Sequence, residues 1–240
     1  MRIDVFFTPL GLDAGDLAGR AVVVIDILRS TTTIITALAN GARAVIPAAS
    51  SEEAVRLAGN LEKNGVILAG ERKGIKIAGF ALGNSPLEMT REAVEGKTIV
   101  LSTTNGTPAL VASQGAGAVF LAAVINFQAA AQRARDELAA RGHLVVLCAG
   151  RETQFALEDA YAAGRLVQAV KKGMKKLALN DAATTAVQLA GHYKSWASAV
   201  TRSDAAAQLK AADLWADVEA ACRPDVHATV PLLADRRVTL

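Results

Sequence analysis

The sequence predicts an α/β fold of two related α/β halves, with mostly parallel sheets and helical crossovers, packed as one unit. Three observations predict it. Val- and Ile-rich strands alternate with Ala/Leu helices along most of the chain. Four sequence blocks recur in the same order. No disordered linker separates the two copies.

The elements follow in chain order. Met1-Arg2-Ile3-Asp4-Val5 reads as a short strand, without the charged-then-apolar layout of a secretory leader. Val22 to Ile27 is a β-branched strand that runs into Ser30-Thr31-Thr32 and an Ala/Leu helix. That helix ends near Gly41, a residue type suited to the position just past a helix. A strand from Ala44 to Ile46, an amphipathic helix from Glu52 to Lys63 and an apolar strand leading to Gly70-Glu71-Arg72 continue the first half. The second half repeats this grammar. It has a strand from Thr98 to Leu101, a second Ser/Thr turn, a strand from Ala118 to Leu121 and a helix from Phe127 to Ala140. A further apolar strand leads to Gly150-Arg151-Glu152. Beyond Glu158 the chain reads as mainly helical through Lys176 and again from Asp181 to Val200, and a tail from Asp225 to Pro231 closes it.

The repeat is visible when the chain is laid against itself. Ser30-Thr31-Thr32 answers to Ser102-Thr103-Thr104, an offset of 102 − 30 = 72, and Gly41-Ala42 to Gly115-Ala116, an offset of 115 − 41 = 74. Val66 to Arg72 answers to Val145 to Glu152, and Phe80-Ala81-Leu82-Gly83-Asn84 to Phe155-Ala156-Leu157-Glu158-Asp159. Chance likeness between Ala-rich βα units explains one such block, whereas four in order point to duplication. Residues 1–97 then form the first half and 98–240 the second, with a helical C-terminal extension; the halves are not independent.

Composition narrows the function. Hydrophobic residues make up 52% of the 240 but aromatics only 4%, which favours tight α/β packing over a base-stacking surface. Lys and Arg exceed Asp and Glu by 26 − 23 = 3, too small and scattered an excess for a nucleic-acid partner. No apolar run approaches a membrane span. Cys148 and Cys222 make no disulfide framework, so a reducing cytoplasm is the expected location. A homodimer is compatible with everything read so far.

Chemistry concentrates at the strand-to-helix junctions. Asp26 falls in an apolar strand, where burial is costly unless a metal or hydrogen bonds compensate it. Arg29 and the hydroxyls of Ser30, Thr31, Thr32 and Thr33 follow at a helix start, where free N–H groups and the dipole favour an anion. One hydroxyl suffices to cap a helix, and four after an Asp and an Arg exceed that need. In the second turn, Asn105-Gly106 offers an anion nest, while Thr107-Pro108 also reads as a plain cap and first turn. Glu71-Arg72 and Arg151-Glu152 fall at carboxyl ends of strands, where open parallel sheets bind ligands, although each is equally an ordinary surface ion pair. Glu158-Asp159 places two carboxylates at a helix start, where dipole capping is the plainer role. Walker, His-Glu-x-x-His, dinucleotide and Asp-x-Asp motifs are absent, and His143, His192 and His227 are isolated. A hard, oxygen-ligated Mg²⁺ suits such carboxylates better than zinc.

In combination, these segments resemble the 2-phosphosulfolactate phosphatase family. The resemblance runs through Val24-Ile25-Asp26-Ile27-Leu28-Arg29-Ser30-Thr31-Thr32-Thr33-Ile34, Gly70-Glu71-Arg72, and Gly79-Phe80 with Gly83-Asn84-Ser85-Pro86. It continues through Thr103-Thr104-Asn105-Gly106-Thr107 and Glu158-Asp159 with Ala163-Gly164, in order along essentially the whole chain. The resemblance implies Mg²⁺-dependent hydrolysis of 2-phosphosulfolactate, a small acidic phosphoester, to sulfolactate and phosphate on the way to coenzyme M. It makes Asp26, Arg29, Glu71, Arg72, Glu158 and Asp159 the expected catalytic residues. Asp26, Glu71, Glu158 and Asp159 are the expected metal ligands, and Arg29 and Arg72 neutralise the phosphoryl group. Ser30, Thr31, Thr32, Asn84, Thr103, Thr104, Asn105, Gly106, Thr107 and Arg151 are expected to bind substrate, with Arg151 and Asn105 taking its further acidic groups. The alternatives are a phosphatase for another phosphorylated 2-hydroxy acid and a non-catalytic protein that binds an acidic metabolite.

Overall fold

A computed structural model describes residues 1–61, 65–174 and 176–240. Among them, eleven strands form one sheet: β1 (Arg2–Phe6), β2 (Ala21–Ile25), β3 (Ala44–Ala48), β4 (Val66–Arg72), β5 (Ile75–Lys76) and β6 (Thr98–Ser102), followed by β7 (Ala118–Ala122), β8 (His143–Cys148), β9 (Ala178–Leu179), β10 (Leu232–Ala234) and β11 (Arg237–Thr239). The helices are α1 (Ser30–Ala39), α2 (Ser51–Gly59), α3 (Arg91–Val94), α4 (Gly106–Ala112), α5 (Phe127–Arg141), α6 (Leu157–Lys171), α7 (Asp181–His192), α8 (Trp196–Val200), α9 (Asp204–Ala211) and α10 (Trp215–Ala221). Strands β2, β3 and β6 are buried at every position. Both of their faces are covered, which is why they read as continuous apolar runs rather than alternating ones.

The strand order is β5-β4-β6-β3-β11-β10-β7-β2-β8-β1-β9. Strands β3, β6 and β4 are parallel to one another, and so are β7, β2, β8 and β1. Between these groups lies the β10-β11 hairpin, with β11 antiparallel to β3 and β10 antiparallel to β7. Three reversals of direction separate β3 from β7, so the two parallel groups run in opposite senses. Their carboxyl ends nonetheless meet: Ser30 Oγ, beyond β2, lies 3.1 Å from Thr103 Oγ1, beyond β6.

From β4 to β8 the order reads the same from both sides when β2 is exchanged with β6, β3 with β7, β4 with β8 and β10 with β11. Strand β2 lies between β7 and β8, while β6 lies between β3 and β4.

The register differs from the one the Ser-Thr-Thr words suggest. Ser102 ends a strand, whereas Ser30 opens a helix. Gly70 lies within β4, whereas Gly150 follows β8 by two residues. The matching places are set by hydrogen bonds instead. Thr31 Oγ1 accepts from the Asp26 N–H (3.0 Å) and donates to the Asp26 carbonyl (2.7 Å). Thr107 Oγ1 accepts from the Thr103 N–H (3.0 Å) and donates to the Thr103 carbonyl (3.1 Å). The junctions after β2 and β6 are thus built alike, with Thr31 bonding Asp26 as Thr107 bonds Thr103.

Other boundaries shift modestly. Helix α2 ends at Gly59, and its expected end at Lys63 lies outside the described residues. The helix expected through Lys176 stops at Lys171, and Lys175 lies outside the described residues. Helices α9 and α10 and the hairpin lie beyond the elements that periodicity identifies. Gly164 is a packing residue: a Cβ there would overlap the Ala186 carbonyl of α7. No helix among the described residues is long and apolar enough to cross a membrane.

Candidate active site

A cleft opens where the two sets of carboxyl ends meet. Asp26, Leu28, Arg29 and Ser30 reach it from β2, and Thr104 and Asn105 from β6. The β4-β5 turn contributes Glu71, Lys73 and Gly74, and the segment after β8 contributes Gly150, Arg151, Glu152 and Glu158. Asn84 completes the wall, and Ala205, Gln208 and Leu209, on or next to one face of α9, form the roof. The enclosed volume is about 50 Å³.

Asp26 sits one residue beyond β2, not within the strand. Its Oδ1 accepts from the Ser30 N–H at 3.1 Å. Burial pushes its carboxyl up to about 6, against the Ser30 hydrogen bonds, with Glu71 raising it further and Arg29 opposing. Glu158, in the first turn of α6, is pushed up to about 7, chiefly by burial and further by the Asp26 charge. Two buried carboxylates thus face one cleft.

Asp159 lies behind this pair. Its Oδ1 accepts from Ile27 N–H (2.9 Å) and its Oδ2 from Gly150 N–H (3.2 Å), tying the end of β2 to the end of β8. Burial first, then the Glu158 and Asp26 charges, hold its carboxyl well above the usual range. Adjacent helical residues diverge by about 100°, and here only Glu158 of the two lines the cleft.

Glu71 is a staple between the halves. Its Oε1 accepts from Thr104 N–H (2.7 Å), and its Oε2 from Gly74 N–H (2.7 Å) and the Thr104 hydroxyl (3.1 Å). Arg72 is a correction. Neighbouring strand residues face opposite ways, and the Arg72 guanidinium donates to the Glu71 carbonyl (2.7 Å) and to Ser102 Oγ (2.8 Å), outside the cleft. Arg29 does line the cleft, but its Nη1 lies 2.6 Å from Asp217 Oδ2 and its Nη2 donates to the Gly74 carbonyl (3.1 Å). Both members of that ion pair are buried, and the other Asp217 oxygen accepts from Ser85 Oγ at 2.6 Å.

The hydroxyl-rich turns divide in the same way. Thr31, Thr103 and Thr107 bond their own junction backbones, and Thr32 Oγ1 donates to the Ile27 carbonyl (2.9 Å). Of the expected substrate-binding residues, Ser30, Asn84, Thr104, Asn105 and Arg151 line the cleft; Thr31, Thr32, Thr103, Gly106 and Thr107 do not. Gly106 has another role. A Cβ there would overlap the Ser30 side chain and come within 2.5 Å of Asp26 Oδ2. Only glycine lets the starts of α1 and α4 approach so closely. We expect Gly106→Ala to displace Ser30 and Asp26 and to cost about 1–3 kcal/mol, read as a lower melting temperature together with reduced turnover.

Lys73, Gln208 and Asp217 are site or supporting residues that sequence reasoning missed, and Glu152, noted there only as part of a charged pair, also lines the cleft. The turn at Lys73-Gly74 follows directly on Glu71-Arg72 and gave a local signal. Gln208 and Asp217 lie in the helical tail, where nothing local marks them.

Among the described residues, no three His, Cys, Asp or Glu side chains form a group that could hold a metal ion. Of the carboxylates expected to join Asp26 at the metal, Glu71 and Asp159 already accept from N–H and hydroxyl donors. Asp26 and Glu158 fit a smaller set, since Mg²⁺ commonly takes one or two carboxylates and keeps several waters.

The family profile described as 2-phosphosulpholactate phosphatase matches residues 6–236. The chain belongs to that family. Its class of enzyme, phosphoric monoester hydrolase, is the one expected from the sequence. A probable 2-phosphosulfolactate phosphatase of Clostridium acetobutylicum is 35% identical over 244 residues, covering 96% of this chain and 97% of the relative. A protein of the same description from Clostridium beijerinckii is 34% identical over 100% of this chain and 99% of its own. One from Clostridium perfringens is 44% identical over 188 residues, covering 78% of this chain and 74% of the relative.

Proposed function

We propose that this chain is a Mg²⁺-dependent phosphatase that hydrolyses 2-phosphosulfolactate to sulfolactate and phosphate. The observation that carries this reading is the Asp26–Glu158 pair, two buried carboxylates facing one cleft beside Arg29, Lys73 and Arg151. Burying carboxylates together is costly without a cation between them. Asp26 and Glu158 would hold Mg²⁺, which would supply positive charge to offset the negative charge of the phosphoryl group and to acidify water. Ser30 N–H fixes the orientation of Asp26 through Oδ1. Arg29 keeps donors beyond its two protein bonds and turns them to the phosphoryl charge. Glu71 holds the Thr104 loop and the Lys73-Gly74 turn together, so the wall of the cleft is set before substrate arrives. The same reading extends to descent. We attribute the symmetric strand order to an internal duplication in which the copies, residues 1–97 and 98–240, exchanged strands β2 and β6.

The test is phosphate release from 2-phosphosulfolactate. Turnover should disappear in EDTA and return with Mg²⁺, and Mg²⁺ alone should raise the melting temperature. Full activity in EDTA would remove the metal from the reading. Binding of the ester without phosphate release would favour a non-catalytic role.

A further inference from the structure

Lys73 is a cation that lines the cleft. Among the described residues its ammonium has no ion-pair partner. Its backbone, by contrast, is firmly held in a left-handed conformation, φ 53°, that is uncommon for a residue other than glycine. Lys73 N–H donates to Thr104 Oγ1 (3.2 Å), and its carbonyl accepts from Gln208 Nε2 (3.2 Å). The next residue, Gly74, is held by Glu71 and Arg29. A charged side chain is thereby presented from a fixed turn.

Arg151 reaches the cleft from the other half. Its Nη2 donates to Gln208 Oε1 at 3.1 Å. Its only carboxylate contact among the described residues is Asp204 at 3.8 Å, whose side chain is 93% exposed, so that pairing is weak. Gln208 therefore ties both cations together, through its amide nitrogen to the Lys73 carbonyl and its amide oxygen to Arg151. Arg29 is neutralised by Asp217. A substrate with several negative charges, entering a cleft lined by Asp26, Glu71, Glu152 and Glu158, meets two weakly engaged cations at the α9 end.

We propose that Lys73 and Arg151 form the subsite for the acidic group that the substrate carries besides its phosphate, a carboxylate or sulfonate, with Gln208 as the positioning residue that sets their spacing. This rests on the phosphatase reading above and places the phosphate at the Asp26 end. Charge-assisted hydrogen bonds of this kind correspond to roughly 10- to 100-fold in affinity.

The test compares kcat/KM for 2-phosphosulfolactate with that for para-nitrophenyl phosphate, which lacks a second acidic group. Lys73→Ala and Arg151→Ala should each lower this ratio roughly 10- to 100-fold, through KM rather than kcat. Lys73→Arg should recover most of the Lys73 loss. Gln208→Ala should lower the ratio several-fold at an unchanged melting temperature. Phospholactate and 2-sulfoethyl phosphate then separate the two chemistries, because the Lys73 effect persists with whichever ester keeps the group that Lys73 binds. A ratio that stays within twofold of wild type in Lys73→Ala would overturn the proposal, as would equal losses on 2-phosphosulfolactate and para-nitrophenyl phosphate. If the wild type cleaves neither 2-phosphosulfolactate nor para-nitrophenyl phosphate, the phosphatase reading fails, and calorimetry with sulfolactate still decides the subsite. Binding weakened tenfold by Lys73→Ala supports it, and unchanged binding ends it.

Discussion

Asp26→Asn should lose turnover by about a thousandfold while melting no lower than the wild-type chain. The activity loss follows from charge. A hard cation needs the carboxylate, and the several kcal/mol that a bound ion contributes to the transition state correspond to roughly three decades in rate. The retained fold follows from geometry. An amide oxygen still accepts the Ser30 N–H bond at the place of Oδ1, and the side-chain volume hardly changes. Replacing a buried carboxylate with a neutral group also removes a desolvation cost. Thermal melting and phosphate release on the same preparation check both halves of this expectation. Wild-type turnover in a folded Asp26→Asn protein would make the aspartate purely structural.

Asp217→Ala should have the largest effect on stability. It leaves the Arg29 guanidinium buried without its partner and takes the acceptor from Ser85 Oγ. Breaking a buried ion pair from one side costs about 3–5 kcal/mol, or roughly 10 °C in melting temperature for a chain of this size. A double variant, Arg29→Met with Asp217→Leu, should recover most of that stability, because an apolar pair of similar volume carries no uncompensated charge. It should recover no activity, because Arg29 lines the cleft. Recovery of both would mean that Arg29 serves packing alone.

The strands were legible because burial on both faces forces long apolar runs, as in Val22-Val23-Val24-Ile25. The junction residues were legible for a different reason. Asp26 and Glu158 are expensive to bury, and a charge beside a buried strand signals something beyond packing. Local pattern could not tell which member of a charged pair faces the cleft. Glu71 and Arg72 look equivalent in sequence, yet the strand's alternation sends them to opposite sides. Nor could it separate hydroxyls that bond backbone, such as Thr31 and Thr107, from Ser30, which lines the cleft. Gln208 and Asp217 were invisible because their partners, Lys73 and Arg29, are more than a hundred residues away and no spacing rule connects them. The Ser-Thr-Thr repeat misled by a few residues, since matching letters fell on a strand end in one half and a helix start in the other.

The exchanged strands also set a timetable for synthesis. Strand β2 leaves the ribosome early, yet its neighbours β7 and β8 begin 118 − 21 = 97 and 143 − 21 = 122 residues later. At roughly 5–20 residues per second, β2 waits on the order of 6–25 s for its second edge to be covered. Until β7 is made, an apolar five-residue segment has neither of its sheet neighbours, which is the condition in which nascent chains pair with the wrong strand or with each other. By then β6 has already emerged and can join β3 and β4. The strand that delivers Asp26 to the cleft is enclosed only once β8 has been made.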